Sequence, residues 1–223
     1  EKVKVLQALR LPRPEQVVTS TVRAQYAAGV VDGAKVPGYL EEPDVAPDSR
    51  TESYVALQLF VDNWRWAGVP FYMRAGKRLT KRVTEIALCF REVPHHMFER
   101  QAVPNALGLR IQPDEGITLK FETKVPGPRP RMQPVSMEFR YGTSFGQQPP
   151  GAYERLILDA ILGDSTLFIR RDEVEAAWDY IDRLMRVWHE DRDRALAQYP
   201  AGSWGPDAAD ALLRTRGRAW RRL

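Results

Sequence analysis

The residues best suited to chemistry lie in the segment 69–82, VPFYMRAGKRLTKR, where Arg74, Lys77, Arg78, Lys81 and Arg82 fall within nine positions. Arg presents a flat fork of donors to an oxyanion, and Lys a compact point charge. Gly76 stands among them and lets the backbone turn where a side chain would obstruct it. The pattern fits a phosphate-binding loop. It equally suits a solvated basic loop, since surface charge is common.

Other chemistries find little support. His95 and His96 are adjacent, so their side chains point apart and suit a shared metal poorly. His189 falls at the end of a helical pattern, where the helix dipole favours a cation. No Cys/His cluster has zinc spacing. Neither nucleotide fingerprint, GxGxxG or GxxxxGK[ST], is present. The carboxylates are scattered. The expectation is an anion site with no metal and no catalytic residue in this chain.

The loop must be held by the elements around it. Val69, Phe71 and Met73 alternate, which predicts a half-buried strand running into the cations. Residues 1–9 read as a helix already under way, as in a chain cut from a longer protein. Residues 16–26, QVVTSTVRAQY, are rich in β-branched residues and predict a strand. Residues 29–50 mix Gly, Pro and charge and read as a long loop. Further strands are expected at 53–63, 84–92, 105–112, 117–124 and 135–141. Trp64 to Gly68 supplies one turn, and Pro113-Asp114-Glu115-Gly116 a hairpin turn. Helices follow at 152–162 and from about 172, with Asp172 as N-cap and Glu175 at the capping-box position. Val174, Ala177, Trp178, Ile181, Leu184, Met185 and Trp188 form its apolar stripe. The tail 205–223, with Arg214, Arg216, Arg218, Arg221 and Arg222, reads as a frayed, solvated terminus. Together these elements predict an α+β domain over residues 1–223: a large, mostly antiparallel sheet with helices packed on one face.

Composition is compatible with that class. The 223 residues are 43% apolar and 28% charged, with a net charge of +4. The charge favours anionic partners only weakly. No run approaches the ~18 apolar residues a membrane helix needs, so no membrane partner is expected. Cys89 is the single cysteine. It fits a reducing, cytoplasmic setting, and its apolar context, EIALCF, predicts a buried, inert thiol.

Several blocks carry a resemblance: EKVKVL at the start, GYLEEPDV at 38–45, NWRWAGVPFYMRAGKRL at 63–79, RIQPDEG at 110–116 and AYERLILDAILGD at 152–164. In this order they resemble the C-terminal domain of glucose-6-phosphate dehydrogenase, over nearly the whole chain. The resemblance implies a substrate-binding and dimerising domain of an enzyme that oxidises glucose 6-phosphate to the phosphogluconolactone with NADP, the first step of the pentose phosphate pathway. It implies a homodimer or homotetramer formed through the sheet. In the family, the coenzyme fingerprint, a phosphate-binding block and the catalytic His lie upstream of the part matched here. The chain alone is therefore expected to be inactive.

Carried over residue by residue, the family's RxGK element matches Arg74, Ala75, Gly76 and Lys77, and implies Lys77 as a substrate contact. Arg82, five residues on, matches a second. Gln112, in RIQP, matches an amide that bonds the sugar phosphate. Such groups would orient an anionic, hydroxyl-rich substrate against a hydride acceptor. Some members hold a second, structural NADP, whose pattern Arg74, Arg110 and Lys120 match. Val83 and Ala87 stand where that pattern has basic residues, and Thr118 where it has Tyr. Losing two cations weakens pyrophosphate binding. Two other readings remain: a catalytically empty scaffold of the same fold, and a basic β-domain that binds nucleic acid. The second calls for aromatics on an open sheet face. Trp64 and Trp66 instead bracket a turn, and Trp178 and Trp188 belong to a helix stripe, so no nucleic-acid partner is expected.

Overall fold

A computed structural model describes residues 1–92, 104–128, 131–146, 151–191 and 195–221. The elements run α1 (Lys2–Gln7), α2 (Pro14–Ser20), β1 (Thr21–Ala27), β2 (Gly29–Val31), β3 (Ala34–Val36), a 3-10 turn (Tyr39–Glu41), β4 (Tyr54–Phe60), β5 (Pro70–Gly76), β6 (Thr84–Cys89), β7 (Ala106–Gln112), β8 (Gly116–Lys124) and β9 (Met132–Arg140). They continue as α3 (Tyr141–Phe145), α4 (Ala152–Leu162), α5 (Arg171–Glu190), β10 (Ala197–Pro200) and α6 (Asp207–Arg214). Two compact units result. The first joins Glu1–Lys81 to Ser165–Leu223, and the second is Arg82–Asp164.

The first unit is built on a sheet ordered β10-β1-β4-β5. β10 pairs with β1 in parallel; the other pairs are antiparallel. Alternation along β4 splits the core. Tyr54 and Ala56 pack with Ala24, Tyr199 and the α6 residues Ala209, Leu212 and Leu213. Leu57 lies with Val17 of α2 and with Tyr180 and Leu184 of α5. Helices thus cover both faces of this sheet. Leu184 is 1% exposed, so truncating it to Ala would cost about 2–5 kcal/mol.

The second unit is an antiparallel meander, β6-β7-β8-β9, with α3 and α4. Its β7–β8 turn falls at the expected Pro-Asp-Glu-Gly, and Arg110 pairs with Gly116 across it. The period-2 pattern puts Leu109, Ile117 and Phe139 on one face, together with Leu107, Leu119 and Met137. α4 spans the predicted residues and ends on Gly163 in the left-handed region. The α+β class and the mostly antiparallel pairing hold, with the strands distributed over two four-stranded sheets and a β2–β3 hairpin.

Several local expectations are corrected. The strand expected at 16–26 begins as a helix. Pro14 occupies the first turn, the Gln16 side chain accepts the Arg13 N–H at 3.0 Å, and Val17 is driven into the core. The Ser20 and Thr21 hydroxyls then bond back to the Gln16 and Val17 carbonyls. Tertiary burial overrides β propensity here, and the strand starts only at Thr21. The long loop at 29–50 contains a hairpin turning at Asp32-Gly33, both with positive φ, a signal the Asp-Gly pair carries. Asp172 is inside α5 rather than its cap: Arg170 holds the N-cap position, and its guanidinium donates to Asp172 at 2.8 Å. The tail is not frayed, because α6 buries Ala209, Leu212 and Leu213, and Trp220 donates to the Ala209 carbonyl at 3.0 Å; Arg222 lies outside the described residues. Cys89 is exposed, since it ends β6, the edge strand of its sheet.

Candidate functional site

The cationic segment begins where β5 ends. At Gly76, a Cβ would meet the Tyr54 ring at 2.6 Å and Leu79 at 3.2 Å, so only glycine lets the strand pass over Tyr54. Burial pushes the Tyr54 hydroxyl up to about 12. From there the loop backbone is fastened atom by atom. The Lys77 N–H donates to the Ser53 carbonyl at 2.8 Å, and the Lys77 carbonyl accepts the Tyr199 hydroxyl at 2.7 Å. The Arg78 carbonyl accepts Gly202 N–H at 2.7 Å. Thr80 N–H donates to the Ser203 carbonyl at 3.2 Å, and its hydroxyl to the Gly202 carbonyl at 2.8 Å. Arg78 itself has φ of 51°, a conformation that costs a non-glycine residue about 1–3 kcal/mol and persists only where its surroundings hold it.

The cations have different fates. The Arg78 guanidinium donates to Glu42 at 3.0 Å, and Glu42 also accepts the Tyr26 hydroxyl at 2.9 Å. Arg78 and Tyr26 together hold the Glu42 carboxyl below its ordinary range. Arg74 lies between two indoles, 5.2 Å from the Trp204 ring and 4.6 Å from the Trp220 ring, and donates to the Trp204 carbonyl at 3.4 Å. Lys77 and Arg82 are exposed, and neither side chain has a partner among the described residues. They are the two cations that the family resemblance marks as substrate contacts.

In the second unit, Arg82 lies two residues before β6. The first residue of that strand, Thr84, is registered against Gln112, the last of β7. Gln112 Nε2 donates to the Thr84 hydroxyl at 3.1 Å. Arg82 and Gln112 therefore stand at the same end of the β6–β7 pair, both exposed. Of the candidates for a structural NADP, Arg74 is committed to its indoles. Arg110 and Lys120 share one face of the β7–β8 pair, but Lys120 is registered with Ala106. Four residues, about 13 Å of strand, separate that position from Arg110. Ala87 and Thr118 both sit against Gly108 between them, and neither carries a charge.

Among the described residues no group of His, Cys, Asp and Glu could hold a metal, and no helix is long and apolar enough to cross a membrane. His189 sits in the last turn of α5, as its spacing implied; His95 and His96 lie outside the described residues. Sequence reasoning did not find Tyr199, Glu42 or Trp220 as supports of the loop. The chain returns there through turns at Gly202 and Gly205, both with positive φ, and these two glycines are a signal that could have marked it.

The profile described as glucose-6-phosphate dehydrogenase, C-terminal domain, matches residues 1–221. The glucose-6-phosphate 1-dehydrogenase of Aggregatibacter actinomycetemcomitans is 50% identical over the whole of this chain and 44% of its own length. The glucose-6-phosphate 1-dehydrogenase 2 of Mycobacterium bovis is likewise 50% identical, over 43% of its length. A solved glucose-6-phosphate dehydrogenase in complex with its substrate glucose-6-phosphate is similar with a TM-score of 0.84 and 35% identity, over 99% of this chain and 44% of that one. The Mycobacterium avium glucose-6-phosphate 1-dehydrogenase matches with a TM-score of 0.76 and 36% identity. The chain thus spans less than half the length of these relatives. On the profile match and these identities, it belongs to the glucose-6-phosphate dehydrogenase C-terminal domain family.

Proposed function

We propose that residues 1–223 form one substrate-binding and dimerising domain of a cytoplasmic, NADP-dependent enzyme that oxidises glucose 6-phosphate to the phosphogluconolactone. Lys77 and Arg82 bind the anionic substrate, and Gln112 adds an amide donor. The observation that carries this reading is the sorting of the cations. Of the five in the loop, Arg74 and Arg78 are committed to indoles and a carboxylate, while Lys77 and Arg82 have no side-chain partner among the described residues. An ammonium and a guanidinium left unpaired are suited to phosphate. Their role is to bind and orient; the hydride acceptor and the base belong to the remainder of the enzyme. A homodimer, or a tetramer built from it, would form on the apolar face of the β6–β9 sheet, where Ile86, Met137 and Phe139 are exposed.

The test is an assay of the complete reading frame with glucose 6-phosphate and NADP, following reduced nicotinamide. Turnover in the wild type, with a KM for glucose 6-phosphate that rises in Lys77→Ala and Arg82→Ala, supports the reading. A folded product with no turnover would replace it with a catalytically empty dimerisation module of the same fold.

A further inference from the structure

We propose that Tyr199 is a positioning residue for Lys77, fixing the peptide on which that ammonium is carried. The inference rests on the role given to Lys77 above.

Tyr199 lies on β10, far from the loop in sequence, and is 1% exposed. Its hydroxyl is 2.7 Å from the Lys77 carbonyl, 3.2 Å from the Ser53 carbonyl and 3.3 Å from the Ser53 hydroxyl. A phenol has one proton to donate, and the shortest of these contacts is to Lys77. The Ser53 hydroxyl accepts the Tyr26 N–H at 2.9 Å, so its own proton is left to point at the Tyr199 oxygen. A consistent chain of donors results: Tyr26 N–H to Ser53 Oγ, Ser53 O–H to Tyr199, Tyr199 O–H to the Lys77 carbonyl. Burial raises the phenol above its ordinary range, so the donor keeps its proton at neutral pH. Ser53 acts at both ends, since its carbonyl takes the Lys77 N–H at 2.8 Å. Lys77 is thus fastened on both sides of its Cα by backbone and buried phenol, while its side chain stands exposed without a partner among the described residues. Its Cα is therefore fixed although no described residue fixes its ammonium. That arrangement leaves the cation to be ordered by its anion at a low cost in backbone entropy.

The same residues could serve stability alone, and a readout specific to Lys77 separates the two roles. The complete polypeptide is compared with its Tyr199→Phe, Lys77→Ala and doubly substituted forms. Hydrogen exchange by mass spectrometry is read on residues 76–80 against residues 54–60 as internal reference. Tyr199→Phe is expected to speed exchange in 76–80 about tenfold, the size of one lost hydrogen bond, with 54–60 little changed. The KM for glucose 6-phosphate should rise about tenfold with kcat within about threefold. In the Lys77→Ala background, Tyr199→Phe should add nothing to KM. Equal protection of 76–80 in both forms, or a KM effect that adds in full to that of Lys77→Ala, overturns the proposal. If Tyr199→Phe does not fold, Ser53→Ala removes the relayed hydroxyl and keeps the Ser53 carbonyl. It should show the same pattern at roughly a third of the size, and unchanged exchange would be equally fatal. A wild-type polypeptide with no activity removes the functional reading only, and the exchange comparison then decides the fastening of Lys77 by itself.

Discussion

The guanidinium of Arg74 lies 4.6 Å from the ring centroid of Trp220, a residue near the end of the chain. The contact docks the tail onto β5 and removes Arg74 from the set of cations open to a ligand. Trp204 packs at 5.2 Å, and Trp220 in turn meets Tyr72 edge-on with centroids 6.4 Å apart. Trp220→Ala should therefore lose about 0.5–2 kcal/mol of cation–π attraction, together with the apolar area of the indole. A lower Tm with an unchanged KM for glucose 6-phosphate is the expected result. An unchanged Tm would mean that the tail does not dock.

With Lys77 and Arg82 as the proposed substrate contacts, Lys77→Ala and Arg82→Ala would each remove one charge-assisted contact to the anionic substrate. At about 1.5–3 kcal/mol apiece, the KM for glucose 6-phosphate should rise roughly ten- to a hundredfold. Neither side chain has a partner among the described residues, so stability should hold within about 0.5 kcal/mol. Steady-state kinetics at varied substrate, beside a thermal scan, checks both halves. Ordinary KM values in both variants would end the site assignment.

Tyr54 is crowded by two glycines. A Cβ at Gly76 would stand 2.6 Å from its Cδ2, and one at Gly205 only 2.5 Å from its Cε2. Gly205 also has φ of 112°. Gly76→Ala should destabilise by about 1–3 kcal/mol through overpacking. Gly205→Ala should cost more, since backbone strain of about 1–3 kcal/mol adds to the clash. Chemical denaturation of the two variants orders them. Equal stability would place the strain elsewhere.

Legibility followed the range of the interaction. Strands with clean alternation, such as 69–76 and 105–112, and the helix at 152–162 were readable because their partners are close in sequence or their period is plain. Lys77 and Arg82 were singled out by the family blocks, not by spacing, which left a solvated loop equally open. What failed depended on distant contacts. Val17 is helical because Tyr180 and Leu184 bury it. Tyr199 looks like any strand aromatic until its hydroxyl meets Lys77. Arg74 and Lys77 are three residues apart and chemically alike, and only Trp204 and Trp220 tell them apart.

Glu42 links acidity to the loop. The hydrogen bond from Arg78, then that from Tyr26, depresses its carboxyl below the ordinary 4.5. A group with a depressed folded pKa contributes stability that is present above its unfolded value and is lost as pH falls through the folded value. The contribution of Glu42 is thus complete above about pH 4.5 and disappears below it. Glu42→Gln should lower Tm at pH 7 and leave a smaller difference from wild type at pH 3. Parallel Tm curves across that interval would show that the pair carries no such linkage.

The apolar face of the β6–β9 sheet gives the last expectation. Leu107, Leu119 and Met137 lie in register across it, as do Leu109, Ile117 and Phe139. Met137 is 63% exposed and Ile86 53%. In a two-fold dimer every interface residue enters twice, so a single substitution is felt on both copies. Met137→Glu would bring two carboxylates into an apolar contact, and their desolvation has no partner to offset it. The affinity of the dimer should fall at least about tenfold, seen as monomer by light scattering at micromolar protein. Ser136→Glu is the matched control: one residue away on the same strand, it faces the other side of the sheet and should leave the dimer intact. If Ser136→Glu dissociates the dimer and Met137→Glu does not, the pairing face is the opposite one, where Arg110 and Lys120 stand. If neither does, the copies meet outside this sheet.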